Sequence, residues 1–470
     1  MKIRFFYNQF KHVLKFDKPY SSAYNQSMLK SLKIPIEANE IIKTLNEAGF
    51  ECFLVGGCVR DFVLGEPYKD LDLTTNATPN EVERVLSEYK IFETGLKHGT
   101  VTVIVNSKPI EITTYRIDGK YEDFRHPKSV TFTRNLVDDL KRRDFTINAL
   151  AYDGKNIIDE FGGVGDIKNK IIRSVGNASE RFKEDPLRIL RTIRFSSVLG
   201  FTIEENTKKA MFELKHLLKH VSFERIRVEF EKTLLGKNAK SAMLEYVDIF
   251  GIVIPELLTM KGFDQHNPHH RYDVLTHTCV ALDGATCDKN IRLAVMFHDI
   301  GKPASFSLIN GVGHFYGHAQ KSYEISGKIL RRLKYDNKTI EYVIKLIKHH
   351  DLDLQATEKY INRLVYKLGN VEIVKDLVLL QRADNFGQAP IHNERIEKFD
   401  KIDEILKSIE EKQLSFSLKD LKVNGKDMLS LGLKGKEIGD ALIFLLNAVL
   451  DEKVENKKEN LLKFLKQNLK

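Results

Sequence analysis

Two aspartates one residue apart, Asp70 and Asp72 in "KDLDLTT" (69–75), have a type and spacing that could do chemistry. The segment alternates acid and leucine as a strand does. Strand side chains alternate faces, so both carboxylates leave one side with Cα atoms roughly 6.5–7 Å apart. Paired carboxylates repel unless a cation joins them, and Mg2+ is held by one or two carboxylates plus substrate phosphate oxygens. Two such ions activate an attacking hydroxyl and steady a leaving phosphate. Glu111 in "IEITTY" could supply a third carboxylate. Upstream, Gly56 and Gly57 separate "FECFLV" (50–55) from "CVRDFVLG" (58–65). A Gly-Gly turn into a helix lets backbone N–H groups approach a phosphate, and the helix N-terminus adds favourable potential. Arg60 falls in the first turn of that helix. A second constellation is "EDPLRILRTIRF" (184–195), where Asp185 precedes Arg188, Arg191 and Arg194. Arginines three apart turn by about 60° on a helix and share one face, which needs carboxylates or phosphates against it.

The elements that must position these groups differ along the chain. "FECFLV" reads as a buried strand, "CVRDFVLG" as a helix closed by Gly65, and "ATPNEVERVLSEY" as a helix with Thr78 as cap and Pro79 in first position. "GTVTVIVNSKPIEITTY" reads as a hairpin with its turn at Asn106 to Pro109. From about residue 180 the chain reads almost entirely helical. It ends on an amphipathic pattern through Leu461, Leu462, Leu465 and Leu469. In "EDPLRILRTIRF" a helix buries Leu187, Leu190 and Ile193, and Asp185 followed by Pro186 suits a helix start.

The 470-residue length implies two to four domains. The fold class is α+β: a mixed α/β head followed by all-helical regions. The expected divisions are an extension, poorly ordered and without assigned function (1–33), the head (34–170), a neck (171–262), a histidine-rich block (263–390) and a tail (391–470). Hydrophobic content of 42% with 30% charged residues is that of a folded soluble protein, and no apolar run approaches the roughly 18 residues of a membrane span. The net charge of +9 leans toward an acidic partner such as nucleic acid. Four cysteines without Cys-x-x-Cys spacing read as thiols in a reducing cytoplasm.

"GGCVRDFVLG…KDLDLTT", "RRDFTINALA" (142–151) and "EDPLRILRTIRF", in that order, resemble the head and neck motifs of class II tRNA nucleotidyltransferases and their bacterial poly(A) polymerase relatives. "DLKVNGKDMLSLGLKGKEIGDAL" (420–442) is similar to the C-terminal region of the CCA-adding members. The resemblance implies a template-independent enzyme that adds C, C and A to the tRNA 3′ end from CTP and ATP, releasing pyrophosphate. Asp70 and Asp72 would hold Mg2+, and Gly57 and Arg60 would contact the nucleotide. Arg142 or Arg143 would bind phosphate, with Asn148 nearby, and the tail would hold the tRNA elbow. "TGLKHGTVTVIV" (94–105) and the loop "YRIDGKYEDFRHPKSVTF" (115–132) resemble full CCA-adding enzymes. A poly(A) polymerase is the alternative, and a non-catalytic RNA-binding protein the second.

Base selection follows from donor and acceptor order. Asp185 only accepts and arginine only donates. Cytosine and adenine each present an amino donor beside a ring-nitrogen acceptor, which Asp185 and Arg188 satisfy. Uracil and guanine present the reverse order, leaving polar groups unpaired at about 1–3 kcal/mol each. Arg191 and Arg194 would bracket the triphosphate or tie the neck together.

"THTCVAL", "MFHDIGKP" and "QRADNFG" resemble the HD superfamily of metal-dependent phosphohydrolases, with His277, His298, Asp299 and Asp384 matching. This implies a mixed imidazole and carboxylate site for Mn, Ni, Fe, Zn or Mg. His318 and His349 or His350 would complete a second metal position. In related nucleotidyltransferases such a block resembles a phosphatase or 2′,3′-cyclic phosphodiesterase. Oligomeric state is not legible.

Overall fold

In the computed structural model the described residues are 34–67, 70–119, 121, 124–125, 127–267, 271–388, 393–411 and 417–468. The extension over 1–33 and Leu469 lie outside them. The described residues form two compact units, one within 34–119 and 127–169, the other within 121–125 and 170–468.

The first unit opens with α1 (Ile36–Glu47), β1 (Cys52–Val55), α2 (Gly57–Leu64) and β2 (Asp72–Thr75). It continues through α3 (Pro79–Val85), β3 (Lys90–Gly95), β4 (Thr100–Val105) and β5 (Lys108–Thr114). β6 (Arg116–Asp118) and β7 (Val130–Phe132) pair with each other, and α4 (Leu136–Lys141), β8 (Ala151–Tyr152), β9 (Ile157–Ile158) and α5 (Gly163–Asn169) complete the unit. Seven strands form one sheet in the order β3-β4-β5-β2-β1-β8-β9. Only β2 and β5 run parallel, and their register sets Asp72 beside Glu111. Leu54, Leu73, Val103, Ile110 and Ile112 fill the core, because period-2 alternation sends every second side chain inward.

Two local expectations change. The strand begins at Asp72, so Asp70 precedes the ladder instead of alternating within it, and the same-face argument does not apply to it. The hairpin turn is only Asn106 and Ser107, both at positive φ, as the two-residue turn of a right-twisted hairpin requires. Lys108 and Pro109 are already in β5, opposite Val105 and Ile104. Helix α5 covers most of "FGGVGDIKN" (161–169), and the first unit ends with it at Asn169. Thr78 caps α3 as expected, in a capping box with Glu81.

The second unit is mostly helical, with two strand pairs in a region expected to be all helix. β10 (Ile171–Ile172) runs parallel to β11 (Thr202–Ile203), around α6 (Ala178–Glu184) and α7 (Leu187–Leu199). Then come α8 (Glu205–Leu214), α9 (Phe223–Leu234), α10 (Ala239–Phe250), α11 (Val274–Gly284) and α12 (Lys289–Phe297). The hairpin β12 (Ser307–Ile309) and β13 (Val312–His314) turns on Asn310-Gly311 at positive φ. Asn-Gly is the strongest local hairpin signal, and it overrode the helical surroundings.

α13 (His318–Arg332), α14 (Asn337–His349), α15 (Glu358–Leu368), α16 (Val371–Gly387) and α17 (Asn393–Glu411) follow. α11 packs on α16 and α13 on α14, the helices from which the histidine block is built. α18 (Gly425–Ser430), α19 (Lys436–Leu450) and α20 (Lys458–Asn468) enclose a small core of Met428, Leu445, Leu461 and Leu465. The expected amphipathic stripe is therefore buried at Leu461 and Leu465, with Leu462 packed at its edge. Among the described residues no helix is long and apolar enough to cross a membrane.

Candidate functional site

In the first unit, the carboxylates gather at one end of β2. Asp72 and Glu111 are register partners on adjacent parallel strands, so their side chains leave the same face at a spacing of about 4.8 Å. Burial pushes the Asp72 carboxyl up, the Glu111 charge pushes it further, and Asp70 adds to this against the opposing pull of Arg143. The cluster therefore carries surplus negative charge, which suits a hard divalent cation that takes its remaining ligands from phosphate oxygens. Among the described residues, no group containing these head carboxylates brings its ligand atoms within 4.8 Å of one another.

Beside the carboxylates, α2 starts on Gly56 at φ +81°, a region that side chains disfavour, and a Cβ there would meet Arg143 Nη1 at 3.0 Å. Arg60 donates from Nη1 to Asn148 Oδ1 at 2.7 Å, and Asn148 Nδ2 donates to Asp144 Oδ1 at 3.0 Å. Arg142 and Arg143 share Asp139, which has no exposed surface. Burial raises the Asp139 carboxyl, and the guanidinium groups of Arg143 and Arg142 more than reverse this, holding it below the usual carboxylate range. Asp139 thus fixes two arginines, of which Arg143 acts on the Asp72 carboxylate. Its spacing of three and four to those arginines was a readable helix-face signal, yet only the arginines were singled out. Asp144 was missed as well, although it lies only four residues before Asn148 in "RRDFTINALA".

In the second unit, α7 buries Leu187, Leu190 and Ile193. Its arginines find the carboxylates that their spacing demanded. Arg188 donates to Glu184 Oε2 at 2.6 Å and to the Arg181 carbonyl at 3.1 Å. Glu229 of α9, 4% exposed, lies 2.9 Å from Arg194 Nε and 3.9 Å from Arg191 Nη1. Asp185 Oδ1 accepts from the Leu187 amide at 3.1 Å, and its Oδ2 pairs with Arg225 Nη2 at 2.7 Å. Arg225 and Glu229 come from α9, too far along the chain for local spacing to reveal.

The histidine block converges as a set. His277 of α11, His298 and Asp299 just after α12, and Asp384 of α16 bring ligand atoms within 4.8 Å of one another, and so do Asp299, His318 and His350. Asp299 belongs to both groups, one oxygen toward each: Oδ2 lies 3.3 Å from His298 Nε2, and Oδ1 lies 3.6 Å from both His318 Nε2 and His350 Nε2. His277 Nε2 is 2.9 Å from Asp384 Oδ1. The Nδ1 atoms of His298, His318 and His350 bond the carbonyls of Val295, Phe315 and Ile347 at 2.7, 2.9 and 2.7 Å. Nδ1 then carries the proton and Nε2 offers its lone pair inward, the arrangement of metal-ligating histidines. His298 Nε2 and Asp299 Oδ2 are buried without a hydrogen bond of ordinary geometry. Burial disfavours the His298 imidazolium, but the Asp299 and Asp384 carboxylates raise it to about 10. A cluster that draws in a proton so strongly holds surplus negative charge, and its mixed imidazole and carboxylate donors fit a first-row divalent metal. His350 joins the cluster and His349 does not, because adjacent helix residues point about 100° apart. Sequence reading also missed Lys302, whose Nζ bridges Asp299 Oδ2 at 2.7 Å and Gln265 Oε1 at 2.9 Å.

Residues 52–173 match the family model of the poly A polymerase head domain, 200–260 that of the RNA- and SrmB-binding site of polymerase A, and 317–465 that of tRNA nucleotidyltransferase domain 2. The chain is 35% identical over 450 residues to a CCA-adding enzyme of Ligilactobacillus salivarius, covering 92% of this chain and 96% of that one. The chain belongs to the CCA-adding enzymes. A CCA-adding enzyme of Anoxybacillus flavithermus is 34% identical over 430 residues, covering 90% and 95% of the two chains. The crystal structure of the Bacillus stearothermophilus CCA-adding enzyme in complex with CTP superposes with a TM-score of 0.70 at 30% identity, over 93% of this chain and 98% of that one. The family is one of tRNA nucleotidyltransferases that use a divalent metal.

Proposed function

We infer that this CCA-adding enzyme builds the tRNA 3′ end from CTP and ATP, with Asp70, Asp72 and Glu111 as the carboxylates that hold Mg2+. The observation that carries the assignment is Asp72 beside Glu111 in register, next to the Gly56–Gly57 helix start and Arg143. These carboxylates would hold the ion, which would supply activation of the attacking tRNA hydroxyl and charge compensation for the departing pyrophosphate. The helix start of α2, Arg60 and the Asp139-held pair Arg142 and Arg143 bind phosphate, and Asn148 orients Arg60. Asp185 and Arg188 read the base edge, Arg188 sharing its donors between base and Glu184. Arg191 and Arg194 tie the neck to Glu229. The divisions at 34–170, 171–262, 263–390 and 391–470 serve as catalytic head, nucleotide-selecting neck, hydrolase block and tRNA-binding tail. Cytoplasmic action belongs to the same reading.

The test is incubation with tRNA lacking its 3′ end and each labelled nucleotide in turn. CTP then ATP incorporation that stops after three residues supports the assignment. Long tails from ATP alone would return it to poly(A) polymerase, a reading that the CCA-adding relatives do not favour.

The histidine block supports a second activity, hydrolysis of a phosphate ester by a divalent metal such as Mn, Ni, Fe, Zn or Mg. His277, His298 and Asp384 would hold one ion, His318 and His350 a second, and Asp299 both. In the 2′,3′-cyclic case, water oxygen bonds phosphorus, one ribose P–O bond breaks, and the proton ends on the freed ribose hydroxyl. Its test is metal-dependent phosphodiesterase activity that disappears in the His298→Ala, Asp299→Ala double variant.

A further inference from the structure

The segment from Phe306 to His318 carries aromatic residues that the hydrolase cluster itself does not use. Tyr316 is 73% exposed. Its ring lies parallel to that of His314, with centroids 5.3 Å apart and planes 6° apart, and its hydroxyl is 3.3 Å from His314 Nδ1. An exposed tyrosine normally samples several rotamers, so a partner ring and a hydrogen bond give this one a fixed, flat, solvent-facing surface.

Two contacts tie the surface to the metal-ligand cluster, and a third pins the hairpin that carries it. The Phe315 carbonyl, one residue before Tyr316, bonds Nδ1 of His318 at 2.9 Å. The Phe315 ring lies 5.4 Å beneath Lys302 Nζ, the ammonium that bridges Asp299 and Gln265, and also packs against Phe306. The hairpin bearing His314 is pinned where the Gly313 amide donates to the His266 carbonyl at 2.7 Å. Tyr316 and His318 are two residues apart, so their Cα atoms are within about 7.6 Å of each other. That is the reach of one nucleoside from base to phosphate. Bases stack on aromatic side chains irrespective of sequence, for about 1–3 kcal/mol per base.

We propose that Tyr316, backed by His314, is a stacking platform for the nucleobase of the phosphate ester cleaved at the histidine cluster, so that the substrate is a nucleoside phosphate, free or at an RNA 3′ end. The inference rests on reading that cluster as a hydrolase site. It adds a base-recognition element that lies outside the ligand set.

The chain contains no tryptophan. In the full-length Tyr316→Trp variant the single indole therefore reports on this position alone, whatever nucleotide binds elsewhere. Titration with 3′-AMP should quench its fluorescence to saturation, and glycerol phosphate should leave it unchanged. In the Mn2+-supplemented protein, Tyr316→Ala should raise KM for 2′,3′-cyclic AMP by about five- to 150-fold with kcat nearly constant, while Tyr316→Phe stays within twofold. Glycerol 1,2-cyclic phosphate, which has no base, should be cleaved equally by all three chains. A tRNA ending in a 2′,3′-cyclic phosphate is the second arm. A Tyr316→Ala effect on it alone assigns the platform to RNA ends, on cyclic AMP alone to free nucleotides, and on both to the shared chemistry. Unquenched indole fluorescence, an unchanged KM in both arms, or an equal loss on the base-free diester overturns the platform and leaves the hydrolase reading standing. An unmodified chain that cleaves none of the probes overturns both.

Discussion

Asp139→Asn isolates the buried carboxylate that holds Arg142 and Arg143. Asp139 Oδ1 accepts from Arg142 Nε at 2.9 Å and Nη2 at 2.7 Å, and Oδ2 accepts from Arg143 Nη2 at 3.2 Å and Thr74 Oγ1 at 3.3 Å. Asparagine has the same shape but only one acceptor oxygen, so its amide nitrogen must face either Arg142 or the Arg143 and Thr74 donors. A hydrogen bond to a charged group contributes about 1.5–3 kcal/mol, and stranding a charge by removing its buried partner costs about 3–5 kcal/mol. Because Arg142 and Arg143 are each partly exposed, water offsets part of this, and the head should lose about 2–3 kcal/mol. If Arg143 leaves the carboxylate cluster, kcat/KM for CTP should fall about ten- to 100-fold, which corresponds to about 1.4–2.7 kcal/mol of lost transition-state stabilisation. The assays are guanidinium unfolding of the full chain and labelled CMP incorporation into truncated tRNA. A variant with unchanged unfolding midpoint and kcat/KM within twofold would refute the clamp.

Asp72→Ala should abolish nucleotide addition yet bind tRNA with nearly unchanged affinity in a filter assay, and residual addition would remove the metal role from Asp72. Glu229→Gln strands Arg191 and Arg194 against a neutral amide and should lower the unfolding midpoint, equivalent to about 1–3 kcal/mol, with Glu229→Asp milder. Hydrogen bonds from the Thr78 amide and from Arg134 hold the Glu81 carboxyl down at about 2. Folding therefore gains from this group above its ordinary value near 4.5 and loses the gain as pH falls toward 2, so Glu81→Gln should flatten that part of the stability profile. Gly387→Ala places a Cβ 3.0 Å from the His277 ring and should weaken Mn2+ binding in calorimetry, an effect that an unchanged isotherm would exclude.

Much of the chemistry was legible in one dimension. Asp72, the Gly-Gly helix start, the Thr78 capping box and the arginine ridge rest on short-range rules: alternation in a strand, φ freedom in glycine, and three-to-four spacing on a helix. Motif order added His277, His298, Asp299 and Asp384 as a matched set. Local rules failed where an element boundary depends on its neighbour. β2 begins at Asp72, the first of its residues paired with β5, so Asp70 lies outside the strand.

Tertiary structure alone decided the partners. Glu229 and Arg225 reach the arginine helix from α9, and Lys302 and Gln265 meet over Asp299 across the block. It also chose His350 over His349 and set Tyr316 flat against His314. Sequence by itself determined which residues carry charge, lone pairs or rings, and which face of a local element they share. Which opposite charge lies against a buried one depends on packing between elements distant in the chain, because the penalty for an unpaired buried charge is met only once the core closes.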